Sequence, residues 1–326
     1  MLISIGVVAI VLLATPSAPP VIYRRGFNNS NCEAHPHAGV ELQDGGWLMV
    51  GDSVCWDGSA EYKRGVFVVV ADSNGVERWT RVLGNLGFNY GKYGTQLKDG
   101  TIIVGGSKSV HDPDAANRGF TYIEKRALWR LDALTGALLS ETLFPNEGKL
   151  DGLRDGVMCV APTTDGTNAI VATGWVGGEA NWDGHNYDDE PMFLIYNGAA
   201  FAMRLSFSPS ELAAPPSLEF EVRLGLNRSF GFRAMQGMRI HMLPDQSNTL
   251  AISAASCSGP YDGDWSVHFS LLSLRADTGE LLWVRRYPRG TASHPYAMTL
   301  SARDDPEPGM VRLPALAVRP TLAPHA

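Results

Sequence analysis

The sequence predicts an all-β fold, a β-propeller of four-stranded antiparallel blades, with four clear blades and a partial or degenerate fifth. Three observations predict it. A unit of two hairpins recurs four times, its turns fall at near-constant spacing, and its strands are apolar on both faces.

The first hairpins of the units are residues 39–53, 94–107, 159–174 and 240–256. Their turns are Asp44-Gly45, Asp99-Gly100, Asp165-Gly166 and the degenerate Gln246-Ser247-Asn248. All carry residues that tolerate positive φ, as a tight hairpin requires. The second hairpins are residues 67–83, 127–143, 192–207 and 270–287, with turns centred on Gly75, Gly136, Gly198 and Gly279. From first turn to second the offsets are 30, 36, 32 and 31 residues. Two hairpins make one four-stranded sheet. Runs such as Val68-Val69-Val70 and Ile102-Ile103-Val104 leave both faces of that sheet in need of cover. Stacking blades around an axis supplies the cover, whereas a two-sheet sandwich has no reason to repeat this unit four times.

The blades are accordingly expected near 38–83, 93–144, 157–207 and 237–288, within a propeller spanning 21–301. Residues 208–236, with Pro209, Pro215 and Pro216, read as an insertion between blades three and four. Val21-Ile22-Tyr23-Arg24-Arg25 resembles the closing strand Trp283-Val284-Arg285-Arg286-Tyr287, as if the N-terminus completed the last blade. Residues 296–301 and 310–318 read as the first strands of a fifth blade. Residues 302–326 read as a proline-rich, poorly ordered tail, since proline is excluded from central strands.

The second hairpins also carry a family likeness. Ala71-Asp72-Ser73-Asn74-Gly75-Val76-Glu77-Arg78-Trp79 and Ala276-Asp277-Thr278-Gly279-Glu280-Leu281-Leu282-Trp283 resemble the quinoprotein-like (PQQ-type) repeat. The second unit keeps Asp132 and Thr135-Gly136 but has Ser140 where tryptophan is expected, and the third keeps only Asn197-Gly198. The resemblance implies a blade rather than an activity. Active quinoprotein dehydrogenases are similar in blade motif but have more blades and a vicinal cysteine pair. No two cysteines here are adjacent.

Residues 1–17 read as a secretory signal peptide. The apolar run Leu2–Leu13 is too short for a bilayer span of ~20 residues and is followed by small residues. No Lys or Arg precedes the run, so an uncleaved anchor or a mis-assigned start is the alternative. Four cysteines and two Asn-x-Ser glycosylation acceptors, Asn28 and Asn227, agree with the secretory pathway and an extracellular protein. A net charge of −7 with no basic block argues against nucleic acid.

Cys32–Cys55 with Cys159–Cys257 is the preferred disulfide pairing, and buried free thiols at 159 and 257 are the alternative. Cys32, His35 and His37 have metal-ligand character, but an oxidising compartment favours a disulfide, so no metal site is expected.

Blade topology puts the Asp-Gly and Thr-Gly turns at one end and the longer loops at the other. There a motif recurs: Trp56-Asp57-Gly58, Trp182-Asp183-Gly184-His185, and Tyr261-Asp262-Gly263-Asp264-Trp265. A further loop holds His111-Asp112-Pro113-Asp114. Rings beside carboxylates suit a glycan or another protein as partner. Calcium at 183–190 is an alternative, although the spacing of a calcium loop is absent. Otherwise Asp-Gly merely turns the chain and the rings pack on their neighbours.

No nucleophile elbow, phosphate loop or His-Glu-x-x-His is present. The leading reading is therefore a non-enzymatic binding or scaffold module with no cofactor. The alternatives are a propeller enzyme, glycoside-active or quinoprotein-like, and an inactive fragment of a longer propeller.

Overall fold

The structure is a computed structural model, described over residues 32–55, 63–84, 89–111, 122–145, 154–180, 195–196, 199–224, 234–243, 248–258 and 266–287. Blade one is β1 (Cys32–Glu41), β2 (Trp47–Cys55), β3 (Lys63–Ala71) and β4 (Glu77–Leu83). Blade two is β5 (Tyr90–Gln96), β6 (Ile102–His111), β7 (Tyr122–Leu131) and β8 (Leu138–Leu143). Blade three is β9 (Arg154–Pro162), β10 (Ala169–Ala180), β11 (Ile195–Tyr196) with β12 (Ala199–Ser206), and β13 (Ser217–Leu224). Blade four is β14 (Ala234–Met242), β15 (Thr249–Ser258), β16 (Ser266–Arg275) and β17 (Leu281–Arg286). Each blade is antiparallel in chain order, and one parallel pairing, Glu124 with Arg154, links blades two and three. The expected propeller of four-stranded blades is thus present, with four blades among the described residues.

Seven of the eight expected turns hold. Gly45, Gly100 and Gly166, and likewise Gly75, Gly136 and Gly279, all have positive φ. The degenerate fourth turn uses Asn248 at φ 50 in the same way. The eighth, Asn197-Gly198, lies outside the described residues. On either side of it, Tyr196 lies opposite Glu179 and Ala199 opposite Val176, so β11 and β12 both run antiparallel to β10 in one register.

The outer hairpin of blade three is instead β12–β13, so Ser217–Leu224, expected within an insertion between blades, is the outer strand of blade three. The physical reason is burial. Ala199–Leu205 is buried at every residue, as a third strand covered on both faces must be, whereas β13 is largely exposed, as an outer strand is. Pro209, Pro215 and Pro216 sit in the connection, where no ladder bond is lost.

The core lies between blades. Leu48, Val50, Val68 and Val70 of blade one pack with Ile102, Val104, Trp129 and Leu131 of blade two. Ile103 and Leu128, on the opposite face of blade two, pack with Val160, Ile170, Phe201 and Met203 of blade three. Val171, Ala200 and Ala202 then pack with Ile240, Ile252, Leu272 and Leu274 of blade four. Successive residues of one strand serve different interfaces because strand side chains alternate between faces.

The repeated tryptophan has a defined role. Trp79 is buried across the outer turn of blade two, its Nε1–H donating to the Ala133 carbonyl at 2.8 Å, while Arg81 donates to the carbonyls of Thr135 and Gly136. A Cβ at Gly136 would lie 2.7 Å from the Trp79 ring. Phe220 and Val222 of blade three occupy the same place over Gly279 of blade four. At the intervening junction, where Ser140 replaces the ring, arginine takes over. Arg126 pairs with Glu221 at 2.7 Å, and Arg130 reaches the carbonyls of Ser208 and Leu212. Trp283 repeats Trp79, with Arg285 in the place of Arg81, yet it is 46% exposed.

Every inner strand carries a one-residue bulge at the same position. The extra residues are His37, Lys92, Met158 and Met238. Gly51, Gly106 and Gly174 on the facing strands sit where any Cβ would strike the carbonyl of His35, Tyr90 or Gly156, which accounts for a glycine recurring in three of the first hairpins.

Gly136→Ala forces a side chain into positive φ and against the Trp79 ring. It is expected to destabilise the protein by at least about 1–3 kcal/mol. In a Trp79→Ala background the same change should cost less, because the clash is gone. Chemical denaturation of the four proteins measures this, and strictly additive losses would contradict the docking.

Candidate functional site

The two ends of the blades are used differently. At the turn end, polar groups hold blades together. Gln43 of blade one bonds Gln96 and Leu97 of blade two, and Asp99 of blade two bonds Asn168 of blade three. Thr164 of blade three donates to Leu243 of blade four. Two arginines at equivalent places in third strands complete this. Arg130 pairs with Asp99 at 2.6 Å and reaches the Ser208 carbonyl. Arg204 pairs with Asp165 at 2.6 Å and reaches the Ala276 carbonyl. Burial opposes ionisation of Asp165, but hydrogen bonds from Thr167 and Arg204 outweigh it and bring the carboxyl to about 2. Asp44 pairs with Arg78 in blade one. These carboxylates are committed to structure.

The other end is where the sequence places the aromatic-carboxylate loops. Trp56 and Asp57, Trp182, Asp183 and His185, and Tyr261, Asp262, Asp264 and Trp265 lie outside the described residues, as do Asn28, Asn227 and residues 1–17. The strands that lead into those loops bring together a set of ionisable groups that the sequence reading did not assemble.

Asp52, near the end of β2, is buried. Its Oδ1 accepts the Gly91 N–H at 3.0 Å, and its Oδ2 lies 2.8 Å from His37 Nε2 and 3.7 Å from Lys92 Nζ. Lys92 Nζ is also 3.3 Å from His37 Nε2. Lys92 and Arg64 both lie over the Tyr90 ring, at 4.9 and 5.2 Å from its centre. Burial lowers the Lys92 ammonium from its ordinary value; Asp52 opposes the shift, Arg64 adds to it and Glu124 opposes it.

His37 and Lys92 are the bulge residues of β1 and β5. A bulge re-aims a side chain out of the alternation of its strand, here bringing an imidazole and an amine from two blades to one carboxylate. The Nε2 of His37 serves one partner at a time. As an N–H it donates to Asp52; as the bare ring nitrogen of the other tautomer it accepts from Lys92. The cluster therefore sets an imidazole one-third exposed to solvent beside a buried amine and a buried carboxylate at the loop-bearing end.

Sequence reasoning placed His37 only in the set Cys32, His35 and His37. Among the described residues no three His, Cys, Asp or Glu side chains stand together as metal ligands. His35 instead faces Glu33 at 3.3 Å. The missed signal was an aspartate and a lysine inside otherwise apolar strands, Val50-Gly51-Asp52-Ser53-Val54 and Tyr90-Gly91-Lys92-Tyr93.

The cysteines divide. Cys32 and Cys55 are opposite one another in the β1–β2 register. The Cys159–Cys257 pairing is corrected, because Cys159 is a free, buried thiol. The sequence reading put Cys159 at the start of its strand, but β9 begins five residues earlier at Arg154. Cys159 Sγ lies 4.0 Å from the Ile240 carbonyl, whereas Cys257 is in register with Ala234, six residues along β14. That is ~20 Å of strand, far beyond the ~7 Å Cα separation a disulfide spans.

No family model matches the chain, and no curated protein does. Among solved structures it is similar to the Plexin A4 extracellular region, at 12% identity over 76% of this chain and 26% of that one, TM-score 0.41. A Synechocystis apocarotenoid oxygenase mutant matches at 9% identity over 78% and 50%, TM-score 0.38. A glucose dehydrogenase matches at 12% identity over 79% and 83%, TM-score 0.26. The chain spans about a quarter of the plexin region and half of the oxygenase. Among the described residues no helix is long and apolar enough to cross a membrane.

Asp52→Ala leaves Lys92 buried without its nearest carboxylate and is expected to cost about 3–5 kcal/mol. Adding Lys92→Met should recover much of that loss. Denaturation midpoints measure both, and a double variant as unstable as the sum of the singles would break the proposed pairing.

Proposed function

We propose that this chain is a non-enzymatic binding module, secreted or displayed at the cell surface, that takes a glycan at its loop-bearing end. One observation carries the reading. At the turn end Asp99 and Asp165 are paired within their own blades with Arg130 and Arg204, which also reach carbonyls of the next blade, while the loop-bearing end gathers His37, Asp52, Arg64, Tyr90 and Lys92 from four strands of two blades. Binding concentrates on loops held by a rigid scaffold, and the loops carried by these blades hold Trp56, Trp182, Tyr261 and Trp265 beside aspartates. Rings stack on sugar faces and carboxylates accept sugar hydroxyls, which is the chemistry of this composition.

Replacing Trp182 and Trp265 together by alanine should abolish binding on a glycan array while leaving the melting temperature nearly unchanged. A large fall in melting temperature would show the rings to be blade packing. Cleavage of an array glycan by the wild-type protein would move the reading to a propeller enzyme.

Export from the cytosol implies oxidation of the cysteine pair at the edge of blade one. Residues directly opposite in an antiparallel ladder have Cα atoms ~4.5–5.5 Å apart, within disulfide reach. Peptide mapping of secreted protein without reductant should recover Cys32 linked to Cys55. Cys159, whose thiol burial pushes up to about 11, should be alkylated only after unfolding. A reduced Cys32 in material from the medium would count against the extracellular assignment.

A further inference from the structure

The residues that follow the four bulges occupy equivalent places in the inner strands. They are Ala38, Tyr93, Cys159 and Arg239. Three of them form one group. The Arg239 guanidinium lies over the Tyr93 ring, 4.9 Å from its centre, and Cys159 is close enough that Arg239 favours and burial opposes its thiolate. The group therefore joins the inner strands of blades two, three and four.

Arg239 differs from the other arginines that pack between blades. Arg126, Arg130 and Arg204 each have a carboxylate partner, at 2.7, 2.6 and 2.6 Å. Arg239 is part-buried, and its one hydrogen bond among the described residues runs from Nη1 to the Met238 carbonyl at 2.8 Å. Partial burial makes a guanidinium seek a counter-charge. The neighbouring thiol does not meet it, since Cys159 is neutral at ordinary pH. Blade one adds only Ala38 at this level, and a Cβ placed on the next residue, Gly39, would meet open space.

We propose that Arg239, seated on Tyr93, is the binding site for an oxyanion at the centre of the propeller. Such a group accepts two parallel N–H bonds from one guanidinium, a geometry lysine cannot reproduce. The anion is either a free inorganic ion of the phosphate type or the carboxylate of a larger ligand such as an acidic sugar. The proposal does not depend on the glycan reading.

The test is titration of the whole protein with inorganic phosphate, with glucuronate, and with neutral glucose as control, read by calorimetry and by broadening of the phosphorus resonance. Saturable binding of phosphate or glucuronate is expected, lost in Arg239→Gln and weakened about tenfold or more in Arg239→Lys. Preference for phosphate identifies a free-ion site, and preference for glucuronate a carboxylate ligand. The Trp182→Ala/Trp265→Ala variant should bind the anion as well as wild type does, whatever becomes of array binding. If Arg239→Gln does not fold, the Arg239→Lys comparison decides. Equal affinity in wild type and Arg239→Lys, or no saturable binding by wild type, overturns the proposal.

Discussion

Each blade is a sheet with two apolar faces, and nothing else in the structure would stand if those faces were not covered. The alternation of Ile102 and Val104 toward blade one with Ile103 toward blade three makes blade two a wedge between two cores. Continuous burial of Ala199–Leu205 does the same for blade three. At ~25 cal/mol per Å² of apolar surface removed from water, these interfaces dominate the stability of the array. The outer docking of Trp79 and Phe220 sets the orientation of one blade on the next. It can do so only because Gly136 and Gly279 offer bare backbone at a turn that needs positive φ.

The same packing leaves the inner strands free to be irregular. A bulge in each one breaks the alternation and turns four residues out of their expected faces. In blades three and four the displaced residues are methionines, which fill space. In blades one and two they are a histidine and a lysine, and there a cluster of charge forms around Asp52. A repeated backbone device thus gives packing in two blades and a cluster of ionisable groups in the other two. The layer beneath it holds Arg239 on Tyr93 by the same construction. The turn end, by contrast, pairs its carboxylates with arginines that also bond the next blade, so chemistry toward a ligand falls to the opposite end and to the inner strands.

Much of the fold was legible in the chain itself. Asp-Gly and Thr-Gly turns require positive φ wherever they occur, so local chemistry located seven of eight turns, including the degenerate one at Asn248. Apolar runs on both faces demanded cover and therefore stacking. A dipeptide such as Asn197-Gly198 permits a turn, but only tertiary pairing sets the direction of its flanks, and here both flanks run antiparallel to β10. Burial of β12 on both faces overrode the local signal and moved the outer strand to Ser217–Leu224.

The site was far less legible. His37 and Asp52 are fifteen residues apart, Lys92 lies forty further on, and each sits in a segment that reads as ordinary strand. A one-residue bulge has no sequence signature beyond the glycine it faces, and it reverses which side of the strand a residue occupies. Arg239 and Tyr93 meet across two blade interfaces, a distance no local pattern encodes. Composition and turn chemistry alone determined that the chain forms antiparallel blades and how many were recognisable. Which charged groups share an environment was decided only by tertiary packing, because burial and proximity, not residue type, set whether a charge is paired, displaced or left open to a ligand.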